Sequence, residues 1–522
     1  MKKIYLITKI FQKFLSISLL FILLSPKITW AQEMNTDKKT KFTPLGTEKK
    51  LSLSIKDAIV KALENNLDIA IERFNPKIQE TDITKEKSAF DPVFSMSIDK
   101  AEEITPSTAR TIRFGGPPTV DAETNTFKGN ITQKFVTGTE ASLEVNNFRN
   151  ADTFNNFASE YETDISLKLA QPLLRNFWVD VNKTDIYIAQ NNKAISDDTF
   201  REQVIKIISD VQKTYWELVF RIEDLQAKQK SLGLAKEFLE RGKIQVEAGT
   251  LAPLEIVQGE ARVAAREEDV IVAEDAIRDA EDRLKRILNL SSKFDEWDIS
   301  VVPVDKPSFE TIDISLSESV KEALQNRPDY ARIKKNLENT KIQMRFAKNQ
   351  LLPKLDFVAM GGYNALEGNL GNSIDELSST NNPFWSLGVE IEIPIGNRQA
   401  RSQYTRRRLE IQQAKMDINN LELQIFEEVR NAVRQIQTDT KRVHATKVAR
   451  ILAQKQLEVE EKKLEVGMST SFFVLDFQEK LSVALSNEAQ AITDYNKSLA
   501  ELYRILGTTL EKNNIVLEKS KI

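Results

Sequence analysis

The sequence predicts a mixed α and β membrane protein built from two tandem structural repeats. Three observations carry this. Segments recur in the same order across the two halves of the chain. Long stretches without proline keep an apolar period of 3.5 residues. Between them, bounded by prolines, the period drops to two.

The first 31 residues read as a secretory signal. "MKKIYLITKIFQK" is basic, "FLSISLLFILLS" is the apolar core, and "ITWA" offers cleavage after Ala31. The apolar core is too short for a comfortable helical span, and no later run of 18 apolar residues replaces it. Residues 32–50 are polar and read as an N-terminal tail. Removing the signal leaves 68 basic against 77 acidic residues, so no basic surplus speaks for nucleic acid. The absence of Cys excludes thiol nucleophiles, disulfides and Cys metal sites. His444 is the only histidine, which excludes His-based triads and multi-His metal centres. An exported, acidic, Cys-free chain suits the bacterial periplasm or outer membrane.

Repeat 1 is expected over residues 51–290 and repeat 2 over 314–507. "SIKDAIVKALENNLD" (54–68) echoes "SLSESVKEALQNRPD" (315–329), with Ala62 on Ala323 and Asn65 on Asn326. "FDPVFSMS" (90–97) faces "LPKLDF" (352–357), with Pro92 on Pro353. "LKLAQPL" (167–173) faces "VEIEIPI" (389–395), with Pro172 on Pro394. "EAGTLAPLEIV" (247–257) faces "VGMSTSFFVL" (466–475), with Gly249 on Gly467. "LKRILN" (284–289) closes one copy and "LYRILG" (502–507) the other. Ordered matches of this kind point to duplication. Residues 291–313 link the copies, and 508–522 read as a second polar, mobile tail.

Long helices are expected at about 183–290 and 398–507. Val204, Ile208, Val211, Tyr215, Leu218, Ile222 and Leu225 alternate at spacings of 4 and 3. Ile256, Val263, Val270, Ile277 and Leu284 fall seven apart, as do Leu485, Ile492, Leu499 and Leu506. Such a seam means coiled-coil packing. Charged residues crowd the remaining faces.

Strand regions are expected at about 92–172 and 353–394. Phe94, Met96 and Ile98 alternate with polar residues, as do Ile165, Leu167 and Leu169, and Leu387, Val389, Ile391 and Ile393. Aromatics gather at strand ends: Phe90, Tyr161, Phe177, Trp178, Phe357, Tyr363, Phe384 and Trp385. An apolar face with aromatic ends fits a membrane barrel strand, and a half-buried hairpin in a soluble sheet would alternate likewise. Pro92 and Pro353 stop a helix and open a strand; Pro172 and Pro394 close a strand before a helix. "GGPPTVDAETNT" and "NALEGNLGNSIDELSSTNN" read as exposed loops. Repeat 1 holds 39 more residues between its prolines than repeat 2. They include a further hairpin around Thr137-Gly138, which either adds two strands or stands outside the barrel. Four shared strands per chain are too few to close a barrel. Three chains would supply twelve.

At this point residues 50–507 resemble the TolC family of outer-membrane efflux proteins. The resemblance rests on the doubled "AL..N" openers, the helix–Pro–strand junctions, "LAQPLLRNF", "EAGTLAPLEIV", "EVGMSTSFFVLD" and the paired "RILN"/"RILG" ends. It implies a homotrimer in the outer membrane, whose β-barrel continues as a long periplasmic α-helical barrel. It further implies an exit duct that works with a periplasmic adaptor (membrane fusion) protein and an inner-membrane efflux pump or ABC transporter, in efflux or type I secretion. Lipid of the outer membrane is its other partner, and no cofactor, metal or nucleic acid is expected. Gly249 and Gly467 correspond to the family's helix-hairpin turns at the periplasmic tip, where adaptors dock. Well-known members narrow that tip with two acids three residues apart. Here the first position is Phe473 and the second Asp476, with Glu255 at the first position of the other copy. Three Asp476 carboxylates around an axis would attract cations, and Phe473 would make the entrance partly apolar. An ordinary surface acid would look the same at Asp476.

The function so expected is a passive channel. The alternative is a periplasmic coiled-coil scaffold or adaptor without a pore, which would be soluble without detergent. An enzyme is not expected, because no catalytic constellation or phosphate-binding glycine loop is present.

Overall fold

The computed structural model describes residues 50–249, 252–290, 297, 299–379 and 381–517. The signal segment and residues 32–49 lie outside these. The chain opens with β1 (Lys50–Leu53), α1 (Ile55–Asn65), α2 (Leu67–Glu72) and α3 (Phe74–Lys87). Four strands follow: β2 (Val93–Pro106), β3 (Thr119–Lys134), β4 (Glu140–Asp152) and β5 (Glu160–Pro172), with a short α4 (Ala109–Arg113) between β2 and β3. After α5 (Val179–Asn182) come the long α6 (Thr184–Glu247) and α7 (Leu254–Leu288). The second half runs β6 (Ser300–Pro303), α8 (Leu316–Asn326), α9 (Pro328–Asn349), β7 (Lys354–Glu367), α10 (Leu370–Ser379) and β8 (Pro383–Glu392). It ends with α11 (Arg398–Glu465), α12 (Ser471–Leu506) and α13 (Thr509–Lys512).

The 64 residues of α6 and 68 of α11 make single helices about 100 Å long. Their returns, α7 and α12, are about half that. The period-3.5 seam explains how such helices are held. Val204, Ile208, Val211, Tyr215 and Leu218 are fully buried in one core, which Leu284 and Leu288 of α7 complete. A second core joins Ile425, Val429, Val433 and Ile436 of α11 to Tyr495, Leu502 and Leu506 of α12. Next to the strands the helices lie in the order α3, α6, α9, α11; toward the far tips the order is α7, α6, α12, α11.

The two halves repeat local geometry. Ser54 caps α1 by accepting the Asp57 N–H at 3.1 Å. Both α1 and α8 are 11 residues long, and each is followed at once by another helix through one extended residue, Asn66 (φ −63°, ψ 127°) or Arg327 (φ −70°, ψ 124°). The "RILN" and "RILG" ends both stop a helix with a left-handed residue, Asn289 (φ 44°) and Gly507 (φ 74°). The Asn289 amide donates to the Asn65 carbonyl at 2.9 Å. Gly507 packs against the backbone of Asn326, the counterpart of Asn65.

Six strands form one antiparallel sheet in the order β2-β3-β4-β5-β7-β8. The hairpin left open by the sequence therefore lies in the same sheet as the others, and adds two strands to the four shared ones. Its turn is tucked against the helix–strand junction. Gly138 (φ 93°) sits where a Cβ would strike the Asn176 carbonyl and, at 2.9 Å, the Asn182 amide. The Thr139 hydroxyl bonds Gln171 at the end of β5.

Opposed residues in the ladders share a face. One face carries Phe94, Met96 and Ile98; Phe127 and Ile131; Leu143 and Val145; Ile165, Leu167 and Leu169; Phe357 and Tyr363; and Trp385, Leu387, Val389 and Ile391. It is a continuous apolar band across all six strands. From Leu355 to Tyr363 it runs about 27 Å along β7, or about 20 Å in height at a barrel-like tilt. At the end away from the helices, Glu123 closes the band by pairing with Lys100 (2.7 Å) and Arg149 (3.6 Å). The other face is polar: Asn130, Ser142 and Thr132 bond one another, and Asn146 donates to Asp164 at 3.2 Å.

Four further expectations are corrected. Residues 119–126 of the first "loop" belong to β3, because Thr119–Thr126 pair with Asp99–Pro106. Within the second, Asn369 accepts the Asn372 N–H at 2.8 Å and starts α10, which packs Ser373 onto Thr163. Part of the C-terminal tail packs on the core: Thr508, Thr509 and Leu510 are buried, and Ile515 and Leu517 cover the first core, while residues 518–522 lie outside the described residues. Lys50, placed in the N-terminal tail, opens β1.

The connector reaches the helices through β6, which pairs in parallel with β1. Tyr215, midway along α6, clasps both. Its hydroxyl lies 3.0 Å from the Leu53 carbonyl and 2.9 Å from an Asp305 carboxylate oxygen, and accepts the Asp305 N–H at 3.2 Å.

Candidate functional site: the helix tips and the two-faced sheet

The two helix hairpins turn at one end of the chain. Helix α6 stops at Glu247, and Gly249 follows with φ 73°, its N–H donating to the Val246 carbonyl at 2.9 Å. Residues 250 and 251 lie outside the described residues. Helix α11 stops at Glu465, and Gly467 follows with φ 74°. Its N–H donates to Leu464 at 3.0 Å, and that of Met468 to Lys463 at 2.8 Å, a paired closure of the helix end. A Cβ at either glycine would meet nothing within 4 Å, so conformation alone selects glycine. The tips carry exposed apolar side chains, among them Met468, Leu254 and Val257.

Phe473 and Asp476 stand on the first two turns of α12. Phe473 is half exposed, and Phe472 packs edge-on against it at 5.7 Å. Asp476 is paired with Lys480 one turn on, at 2.6 Å. The sequence reading missed this partner, although an acid followed by Lys four residues later is a legible helical pair. Glu255, in the first turn of α7, makes no side-chain bond among the described residues, and no contact joins it to Asp476.

What does join the hairpins is a pair of arginines on α7. Arg266 bridges Asp269 and Glu479 of α12, both at 2.9 Å. Arg262 lies 5.4 Å from the Phe472 ring. Higher up, Glu217 binds Lys497 and Arg221, and Lys213 binds Glu501, so charge pairs continue between α6 and α12. Burial alone would raise the Glu217 and Glu501 carboxyls; their cationic partners outweigh it and hold both low.

The four junction prolines stand at the ends of strands. Pro92 precedes β2, Pro172 ends β5, Pro353 precedes β7, and Pro394 follows β8 by two residues. Each of the four strands so marked adjoins a helix: the shorter α3 and α9 lead into β2 and β7, and β5 and β8 lead toward the long α6 and α11. The strand order β2, β5, β7, β8 repeats the helix order α3, α6, α9, α11.

Among the described residues no group of three or more His, Asp or Glu could hold a metal. No described helix is long and apolar enough to cross a membrane. A membrane wall in this chain would be the sheet.

Comparison with known proteins agrees. The model of the outer membrane efflux protein family matches residues 135–290 and 319–508. Nodulation protein T of Rhizobium leguminosarum bv. trifolii is 22% identical over 312 residues, covering 58% of this chain and 63% of its own length. The outer membrane protein TolC of Vibrio cholerae is 23% identical over 350 residues, covering 65% and 75%. Among solved structures, the Campylobacter jejuni CmeC outer membrane channel superposes with a TM-score of 0.63 over 87% of this chain and 86% of its own, at 15% identity. CusC gives a TM-score of 0.65 over 90% and 98%, also at 15% identity. At such identities the likeness to solved structures is one of fold. The family match covers most of the chain, and the chain belongs to the family of outer membrane efflux proteins.

Proposed function

We propose that three copies of this chain, a duplicated structure, close into an outer-membrane channel. It serves as the passive exit duct of a tripartite efflux or type I secretion system. The carrying observation is the sheet: an apolar band on one face, a polar face behind it, and two unpaired edges, β2 and β8. Such a sheet has one use for both faces, as a barrel wall with lipid outside and water inside. The helical layer supports closure too. Leu409, Met416 and Leu423 form an exposed heptad stripe on edge helix α11, and Phe74 and Ile78 lie exposed on edge helix α3.

In this reading the helices extend the tube through the periplasm. The turns at Gly249 and Gly467 dock a periplasmic adaptor, which couples the duct to an inner-membrane efflux pump or ABC transporter. Phe473 and Asp476 line the entrance, with Glu255 near it. Because Lys480 pairs with Asp476 in each copy, the entrance attracts cations weakly and Phe473 contributes an apolar constriction. The chain supplies no energy and no covalent chemistry.

Single-channel conductance of the detergent-purified mature protein in planar bilayers tests this. Discrete openings are expected, with Phe473→Ala raising conductance more than Asp476→Asn changes ion preference. Openings insensitive to both variants would move the gate away from α12. A water-soluble protein that never inserts would favour a periplasmic scaffold.

A further inference from the structure

We infer that the membrane barrel has eighteen strands, six from each copy, and is as wide as the helical tube beneath it. This rests on the trimeric channel reading above. Four strands per copy adjoin four helices in the same lateral order. The β3–β4 hairpin is inserted between β2 and β5, above the pair α3 and α6.

Perimeter explains what that insertion does. A strand tilted about 40° takes about 6 Å of barrel wall. A packed helix takes about 9–10 Å of tube wall. Four strands over four helices would span about 25 Å above about 38 Å, so the wall would have to draw inward. Six strands span about 37 Å and continue the tube without a step. The hairpin is fitted as wall on both counts that matter. Its ladders with β2 and β5 run for nearly the full strand lengths, and its residues obey the same two-faced division, with Phe127, Ile131, Leu143 and Val145 in the apolar band. Its periplasmic turn is seated at the junction, where only a residue without a Cβ fits at position 138.

Closure then needs β8 of one copy against β2 of the next. β2 leads out of a helix toward the far end and β8 returns, so this pair is antiparallel like every other in the sheet. The closed barrel is about 35 Å across its backbone, against about 24 Å for twelve strands. With side chains lining it, the free cross-section is about threefold larger. Cargo size is then limited at the tips and not in the membrane.

Imaging the trimer in detergent or nanodiscs at a resolution that separates strands tests the inference. Eighteen strands with residues 119–152 in the wall are expected. Twelve strands, with the hairpin lying outside a closed trimeric barrel, would overturn it and leave the channel reading standing. A protein without any barrel would overturn both. Deleting residues 119–152, which joins β2 to β5 through their outer loops, gives a second readout. Polyethylene glycol added on the outer side should enter wild type at larger sizes than the deletion variant. Equal size limits in two correctly inserted proteins would refute the wide barrel.

Discussion

Replacing Gly507 by Ala separates conformational strain from steric overlap. Gly507 and Gly467 both follow a long helix with φ 74°. A left-handed backbone costs an L-residue about 1–2 kcal/mol, and this applies to both. Their surroundings differ. A Cβ at Gly467 meets nothing within 4 Å, whereas one at Gly507 lies 2.8 Å from the carbonyl carbon and oxygen of Asn326 and 3.1 Å from the Arg327 nitrogen. Those atoms are backbone at the joint between α8 and α9 and cannot rotate away. Relieving the overlap shifts a packed element, at about 1–3 kcal/mol more. The entropy gained by removing glycine from the unfolded chain is the same for both. Gly507→Ala should therefore lose about 1–3 kcal/mol more than Gly467→Ala. Thermal unfolding followed by far-ultraviolet circular dichroism reads the difference. Equal losses would show that the packing at the Asn326 joint does not bear on stability.

Tyr215→Phe removes the hydroxyl that ties β1 and the connector to α6. It should cost about 1–3 kcal/mol and speed proteolysis within 300–313; an unchanged cleavage rate would contradict the clasp. Asp329 is bound by Arg327 at 2.7 Å. Burial alone would raise its carboxyl, but the Arg327 hydrogen bond and charge prevail and lower it. Its folded value lies below its unfolded one, so its contribution is present above about pH 4 and disappears as pH falls through the folded value. Asp329→Asn should flatten the acid limb of stability, and an unaltered limb would assign that limb elsewhere. Leu167→Arg places a charge in the apolar band, at about 2–4 kcal/mol, whereas Lys168→Glu only exchanges one charge for another on the opposite side, where the residue is exposed. The yield of membrane-inserted protein should fall only for the first, and equal yields would deny the band its lipid contact.

The helices were legible because their seam is long. Five consecutive seam residues of α6, from Val204 to Leu218, are fully buried. The strands with apolar alternation were legible for the same reason. Residues 119–126 were not, since Val120 and Ala122 are the sole apolar residues at that end of β3 and its pairing with β2 is a tertiary fact. The hairpin could be found around Thr137-Gly138, but its place in the sheet depends on contacts at Asn176 and Gln171 that no local pattern encodes. The C-terminal segment reads as polar because its apolar residues, Leu510 and the triplet Ile515–Leu517, are too few to show a period; folding brings Leu510, Ile515 and Leu517 onto one core. At the tip, the glycines were readable from their matched spacing. The Arg262 and Arg266 links between the hairpins were not, because α7 and α12 are two hundred residues apart.

The central claim is that this sheet is a membrane wall with one wet face. The chain has no Cys, so single cysteines placed in turn at positions 164–169 of β5 report without background. In outer-membrane vesicles, a water-soluble maleimide should label 164 and 168 and spare 165, 167 and 169, while 166 is buried and is left out of the comparison. Uniform labelling along the strand would contradict the claim and return the sheet to water on both faces.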